Sequence, residues 1–203
     1  MSNYPLIIFE GIEGSGKSTQ IKKVANFLKK KKRNFIQIRE PGGSENSEKI
    51  RKLILNKKFK SSPTTDLLLY MASRNENIEK IILKNYKKKI ILIDRFIYSS
   101  VAYQHYGMGI SKNFIDSLNK SILRDIKPDL IFLHTINSKN LKKRIGLRKI
   151  KNRYDRFSLD FYSKVQRGFK RLLIHKKNCM LVNSNDNIKN NTNQIIKRIE
   201  KII

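Results

Sequence analysis

Apolar positions along the chain fall into two kinds of pattern that alternate: short continuous runs, and longer stretches in which apolar residues recur every three to four positions. The first predicts buried strands and the second amphipathic helices. The runs are Leu6-Ile7-Ile8-Phe9, Lys89 to Ile93, Leu130-Ile131-Phe132-Leu133 after the turn Lys127-Pro128-Asp129, and a short Met180-Leu181-Val182. Asn34 to Arg39 alternates apolar and polar residues and runs into the turn signal Glu40-Pro41-Gly42-Gly43, which predicts a further strand. Between them, Gln20 to Lys32 places Ile21, Val24, Ala25 and Leu28 on one helical face. Ser44 to Leu55 does so with Ile50, Leu53 and Ile54 inward, and Pro63 to Tyr86 with Leu67, Leu68 and Met71, capped at Thr64 or Thr65. Ser99 to Gln104, Ser111 to Asp125, Arg156 to Lys176 and Asn187 to Ile203 complete the predicted helices, and Ser138 caps a basic segment before the long one. Strand and helix in alternation predict an α/β fold, and 203 residues without a Gly/Ser-rich linker predict one domain over 1–203.

The first strand runs into Gly11-Ile12-Glu13-Gly14-Ser15-Gly16-Lys17-Ser18, a phosphate-loop pattern of two glycines followed by Lys and Ser, in the strand–loop–helix context it requires. Glycines permit backbone angles that turn successive N–H groups inward around phosphate oxygens, and the helix beginning near Lys17 adds its positive end. Lys17 is spaced to reach the β- and γ-phosphates of ATP, and the Ser18 hydroxyl to hold Mg²⁺. An acid at the carboxyl end of a neighbouring buried strand serves the same ion, which selects Asp94; Arg95 beside it offers a planar fork of donors to a second phosphate. In an open parallel sheet the crevice lies outside the carboxyl ends of the strands, so the Arg39–Gly43 loop is expected to face it as well. Tyr70 and Arg74, four apart on a predicted helix, share a face where a ring and a guanidinium can sandwich a flat ligand, although aromatic and charged residues at this spacing are usually surface and core residues.

Composition changes this picture little. A formal net charge of +29 draws polyanions in principle. The lysines, however, come in runs such as Lys29 to Lys32 and Lys87 to Lys89 at polar helix ends, with few aromatics between them for base stacking, and the chain is equally rich in Ile and Asn. We read the charge as a solvated surface and expect neither a nucleic-acid nor a membrane partner. One run does bear on chemistry: Lys142, Lys143, Arg144, Arg148, Lys149, Lys151 and Arg153 form a basic lid over about 138–156. In a phosphate-transfer enzyme such a segment closes over the triphosphate. Cys179, alone and within an apolar run, is a core residue, and with no signal or membrane-spanning pattern the expected location is the cytoplasm.

With the phosphate loop, Arg39-Glu40-Pro41-Gly42-Gly43, Asp94-Arg95-Phe96 and Ala102-Tyr103-Gln104 in hand, the chain resembles the bacterial thymidylate kinases, nucleoside monophosphate kinases of the P-loop class, from about Leu6 to past Arg167. The resemblance implies a three-layer fold with a five-stranded parallel sheet flanked by helices, a homodimer, and transfer of the γ-phosphoryl of ATP to dTMP. It implies that Glu13 meets the sugar 3′-hydroxyl, that Arg95 grips the acceptor phosphate with Arg39 and Arg51, and that Tyr70 stacks on thymine. Arg74, Ser100 and Gln104 then read the base edge, Tyr103 fills the space of a ribose 2′-hydroxyl, and Glu40, Pro41 and Ser99 complete the dTMP site. The small Ser15 resembles the subtype whose catalytic arginine comes from the lid; here that is Arg148, with Arg144 and Arg153 as neighbours. Three positions depart from the family pattern: His134 stands where an Asp is usual, Asn152-Arg153-Tyr154-Asp155 approximates Asp-Arg-x-Glu, and Tyr70 replaces the usual Phe. The alternatives are a related P-loop kinase with another acceptor and a basic nucleic-acid-binding ATPase.

Overall fold

The computed structural model describes residues 4–147 and 153–203. Its element order is β1 (Leu6–Gly11), α1 (Lys17–Lys30), β2 (Phe35–Arg39), α2 (Glu45–Leu55), α3 (Pro63–Asn77), a π-helical turn (Ile78–Ile82), α4 (Leu83–Asn85), β3 (Ile90–Asp94), α5 (Ile97–Ser100), a second π segment (Val101–Gly107), α6 (Lys112–Leu123), β4 (Leu130–Thr135), α7 (Ser138–Gly146), a 3₁₀ turn (Arg153–Arg156), α8 (Leu159–Leu173), β5 (Cys179–Asn183) and α9 (Ile188–Glu200). The strands form one parallel sheet in the order β2-β3-β1-β4-β5. The three inner strands are almost wholly buried and the two edge strands only in part, which is why the inner ones read as unbroken apolar runs.

Alternate residues of each strand point to opposite faces, so the sheet has two cores. Leu6, Ile8, Ile91, Ile93, Ile131 and Leu133 pack with Tyr162, Val165, Phe169 and Leu173 of α8. Ile7, Phe9, Leu92, Leu130 and Phe132 pack with Ile21, Val24 and Leu28 of α1 and with Ile195 and Ile199 of α9. Each fully buried Ile or Leu contributes about 1.5–3 kcal/mol. Phe9→Ala, at the ring contact with Phe132, is expected to cost about 3–5 kcal/mol. Among the described residues no helix is long and apolar enough to cross a membrane.

Several local expectations are corrected. The helix from Pro63 is capped by Ser62, whose hydroxyl accepts from the Thr65 amide, with Pro63 in the first turn, rather than by Thr64 or Thr65. It does not continue regularly to Tyr86 but widens into the π turn at Ile78. Leu53 and Leu68 point outward, 41% and 47% exposed. The long helix before β5 starts at Leu159 behind the cap Ser158, because Arg153–Arg156 forms a separate turn. A helix-cap hydroxyl freezes a local choice that periodicity alone cannot make.

Two close approaches set the crevice. A Cβ on Gly168 would lie 2.5 Å from the Tyr106 ring, so glycine lets α8 press against the second π segment and turns Tyr103 and Gln104 of that segment inward. A Cβ on Gly11, at φ +137°, would lie 2.4 Å from the His134 carbonyl oxygen, so only glycine lets the phosphate loop leave β1 against the end of β4.

Candidate active site

Because β1 lies between β3 and β4, the ends of four strands meet at one place. Asp94 of β3 is in register with Phe9 of β1 and with Arg39 of β2, while His134 of β4 is in register with Gly11. The crevice beside them, about 560 Å³, is lined by the loop from Glu13 to Ser18, by Arg39, Glu40, Pro41 and Arg51, by Tyr70 and Arg74, by Asp94, Arg95, Ser99, Ser100, Tyr103 and Gln104, and by Arg144. The structure therefore gathers in one crevice residues from eight elements that the sequence singles out separately. Gly11 and Ile12 turn their carbonyls toward Lys17, whose Nζ donates to both at 2.9 Å and approaches Ser15 Oγ at 3.5 Å. Burial, with the repulsion of Arg95 behind it, pulls the Lys17 ammonium down to about 8 against the attraction of Asp94, Glu13 and Glu10. An incoming polyphosphate supplies the missing counter-charge.

Ser18 Oγ donates to Asp94 Oδ2 at 2.9 Å, and Asp94 Oδ1 is buried with no hydrogen-bond partner among the described residues. A hydroxyl and a carboxylate with an open oxygen are hard donors of the kind that Mg²⁺ takes while keeping several waters, so these residues fit such a cation. Glu40 Oε1, Asp94 Oδ1 and His134 Nε2, buried polar atoms without a partner among the described residues, belong to crevice-lining residues. That is the signature of groups arranged for a ligand rather than for each other.

Arg95 is held at φ +68°, a left-handed backbone conformation uncommon for its type. Its fork is directed at the phosphate loop: Nη1 donates to the Gly11 carbonyl and Nη2 to Glu13 Oε1, each at 2.8 Å. The guanidinium lies 5.2 Å from the Tyr103 ring centre, and the Tyr103 hydroxyl donates to Glu13 Oε2. Burial works to raise the Glu13 carboxyl, but Arg95, Lys17 and the Tyr103 hydroxyl hold it below its usual value. Arg95, Glu13 and Tyr103 thus form one hydrogen-bonded unit beside the loop.

Arg74 is built into the core. It is 2% exposed, and its guanidinium is committed to Glu40 Oε2 through Nε at 2.8 Å, to Asn119 Oδ1 at 2.7 Å and to the Phe96 carbonyl at 3.0 Å. Its guanidinium carbon lies over the Phe96 ring at 5.5 Å, so with its nitrogens committed and Phe96 against it Arg74 does not make a two-sided sandwich with Tyr70. Tyr70 instead stands edge-on to Tyr154 at 6.3 Å. Arg39 pairs with Glu48 at 3.2 Å with 55% of its side chain exposed, while Arg51 donates to the Pro41 carbonyl at 2.6 Å.

In the basic segment Arg144 reaches the loop, donating to the Gly14 carbonyl at 3.0 Å and to the Ser184 carbonyl at 2.7 Å. Arg148 lies outside the described residues, as do Lys149, Lys151 and Asn152 of the predicted lid. Arg153 pairs with Asp66 at the start of α3. His134 is fully buried, with its ring stacked toward Phe9 at 6.1 Å. Burial first, and the Lys17 charge second, pull it down to about 3, so the imidazole is neutral.

Sequence reasoning missed Glu10, Tyr154 and the connection after β5. Glu10, fully buried, accepts from the amides of Phe96 at 3.0 Å and Ser99 at 3.3 Å and from the Ser99 hydroxyl. Burial raises its carboxyl despite these donors and Arg95. A charged residue closing an apolar strand was the available signal. Tyr154, within the stretch that approximates Asp-Arg-x-Glu but with no role assigned to it, lines the crevice, as do Ser184, Asp186, Ile188 and Asn191, which nothing in their local sequence marked.

Comparison with known proteins agrees with this geometry. The thymidylate kinase family model matches residues 9–195. A thymidylate kinase of Kosmotoga olearia is 38% identical over 164 residues, covering 80% of this chain and 79% of that one. One from the Wolbachia of Brugia malayi is 35% identical over 201 residues, covering 97% and 94%. The crystal structure of thymidylate kinase from Ehrlichia chaffeensis superposes with a TM-score of 0.78 at 30% identity, covering 96% of this chain and 97% of that one. With the family model spanning residues 9–195 and relatives matched along almost its whole length, the chain belongs to the thymidylate kinase family.

Proposed function

We propose that this chain phosphorylates dTMP at the expense of ATP, giving dTDP and ADP, with Mg²⁺ as the accompanying cation. The observation that carries the proposal is the direct junction of two anion-binding units in one crevice. The phosphate loop with Lys17 is one; the Arg95–Glu13–Tyr103 unit, bonded to that loop through Gly11, is the other. A donor phosphate on the first and an acceptor phosphate on the second would be neighbours, which is what transfer by positioning and charge stabilisation requires. No nucleophilic side chain is needed.

In this reading the loop from Gly11 to Ser18, with Arg144 and Arg148, binds ATP, and Ser18 and Asp94 hold Mg²⁺. Held there, the ion would supply charge neutralisation to the phosphate groups. Arg95 clamps the dTMP phosphate with Arg51, and with Arg39 once it leaves Glu48. Glu13 meets the 3′-hydroxyl, Tyr70 packs on thymine, and Arg74, Ser100 and Gln104 lie at the base edge. Tyr103 takes the space of a 2′-hydroxyl, and Glu40, Pro41 and Ser99 support the site. Ser184, Asp186, Ile188 and Asn191, beyond the loop, line the space for the donor base. We also propose a single cytoplasmic domain acting as a homodimer, for which the exposed Leu68 and Phe114 on the packed helices α3 and α6 offer apolar surface.

The test is ADP formation measured with dTMP, dUMP, CMP, AMP or single-stranded DNA as the added component. Turnover dependent on dTMP, and much weaker with CMP and AMP, is expected. Preference for another monophosphate, or hydrolysis stimulated by DNA without an acceptor, overturns the proposal.

A further inference from the structure

The 3₁₀ turn that leads into α8 is fastened at a point remote from the phosphate loop. Arg153 Nη2 lies 2.5 Å from Asp66 Oδ2, in the first turn of α3, and Nη1 donates to Ser61 Oγ at 3.1 Å. Ser61 donates in turn to Asp66. The two charged side chains are only 14% and 7% exposed, and the guanidinium lies 5.5 Å from the Phe59 ring centre and 5.2 Å from that of Tyr154. An exposed ion pair contributes little, but removing one member of an enclosed pair strands the other without a partner.

What this pair holds is the next residue. Tyr154 is 4% exposed, its ring stands edge-on to Tyr103 at 6.2 Å and to Tyr70 at 6.3 Å, and its carbonyl accepts from the Tyr162 hydroxyl at 2.6 Å. It lines the crevice at the end where those two rings lie. Tyr70 is four residues beyond Asp66 on α3, one turn along the same face. Asp66 therefore sits at the root of one aromatic wall and, through Arg153, holds the other.

We propose that Asp66 and Arg153 form a positioning clasp that sets Tyr154 against Tyr70 and Tyr103 and so fixes the width of the acceptor end of the crevice. The clasp touches no reacting phosphate, so it governs acceptor affinity and leaves phosphoryl transfer itself intact. This rests on reading that end of the crevice as the acceptor site.

The test uses the full chain, with Asp66→Asn, Arg153→Gln and their combination, steady-state kinetics in both substrates, and calorimetric binding of the acceptor in the absence of ATP. Each single variant is expected to weaken acceptor binding and raise its KM about tenfold or more, the scale of a small misplacement of binding groups, with kcat and the KM for ATP within about threefold. The double variant is expected to be no worse than the singles, as for two residues acting through one contact. Tyr154→Leu should reproduce the acceptor defect, and Arg153→Lys, which keeps the charge but loses the planar fork, should recover part of the affinity lost in Arg153→Gln. A collapse of kcat with acceptor binding unchanged would make Arg153 catalytic and overturn the clasp. So would unaltered acceptor binding, or a joint fall of kcat, both affinities and melting temperature with no rescue by Lys. The acceptor used is whichever monophosphate the unmodified protein prefers, so a wrong assignment of dTMP shows in the unmodified protein and a wrong assignment of the clasp only in the variants.

Discussion

The two ends of the sheet carry charge in opposite ways. At the carboxyl ends of the strands Glu10, Lys17, Glu40 and Arg74 are each 6% exposed or less, and each is bonded to a named partner. At the amino ends, the connections into β2, β3, β4 and β5 carry Lys29 to Lys32, Lys87 and Lys88, Lys127, and Lys176 and Lys177, all exposed. Burying a charge is costly unless it is paired, so a charge that stays buried has its position specified by its neighbours; a solvated lysine has not. The net charge of +29 arises mostly from residues of the second kind, whereas the proposed chemistry belongs to the first.

If burial and pairing mark the working charges, the largest losses fall at the loop junction. Lys17→Ala and Arg95→Ala are each expected to lower kcat/KM by about 10⁵, because both phosphate binding and transition-state charge stabilisation go. Coupled ADP assays on folded variants check this, and activity near that of the unmodified protein in either would break the link between buried charge and function. Next in size is Arg148→Ala, expected to lower kcat by about 10³ or more with ATP and dTMP affinities held within a few-fold, as for a contact made mainly in the transition state. Arg144→Ala should instead weaken ATP, since Arg144 ties the loop to the β5–α9 connection. Reversed phenotypes would exchange the two roles.

The fold and half of this site were legible because they are local. Strand runs, the glycine loop and Asp94-Arg95 each declare themselves within a few residues, and the inner strands read correctly because both of their faces are buried. What was not legible depends on contacts distant in sequence. Leu53 and Leu68 lie on helical stripes wide enough that only tertiary packing decides which edge is covered. The orientation of Arg74 toward Glu40 and Asn119, and of Arg153 toward Asp66, joins residues that no local pattern relates. Glu10 is the instructive middle case: its position in the strand is local information, but its burial is not.

His134 sharpens the comparison at intermediate size, because it is a buried titratable group that the structure keeps neutral. An ordinary histidine titrates near 6.5 and this one near 3, so on acidification the unfolded chain takes up the proton first. Its contribution to stability is present above about pH 6.5 and is lost as the pH falls toward 3. Between pH 7 and pH 5 the protein is therefore expected to lose about 2 kcal/mol more unfolding free energy than His134→Asn does. Urea unfolding at the two pH values measures the difference. Equal losses would mean that the imidazole charges freely and that burial at this end of β4 is looser than at Glu10.

The smallest effect is expected at the other end of the sheet. Replacing Lys29, Lys30, Lys31 and Lys32 together by Gln removes four positive charges from the exit of α1, on the far side of β1 from the phosphate loop. Exposed substitutions away from packed features each change stability by less than about 0.5 kcal/mol. Loss of favourable contacts with the helix carboxyl end works against folding, and relief of lysine–lysine repulsion works for it, so the sum should stay small. Beyond a Debye length of about 8 Å at physiological salt these charges act on the crevice only weakly, so kcat should be unchanged and kcat/KM for the anionic substrates should fall by no more than about twofold. That fall should grow when the assay is run at about 0.01 M ionic strength, where the Debye length lengthens to about 30 Å. A loss of tenfold or more at physiological salt, undiminished by added salt, would show that the lysine run reaches the site by a structural route and that exposure does not separate the two kinds of charge.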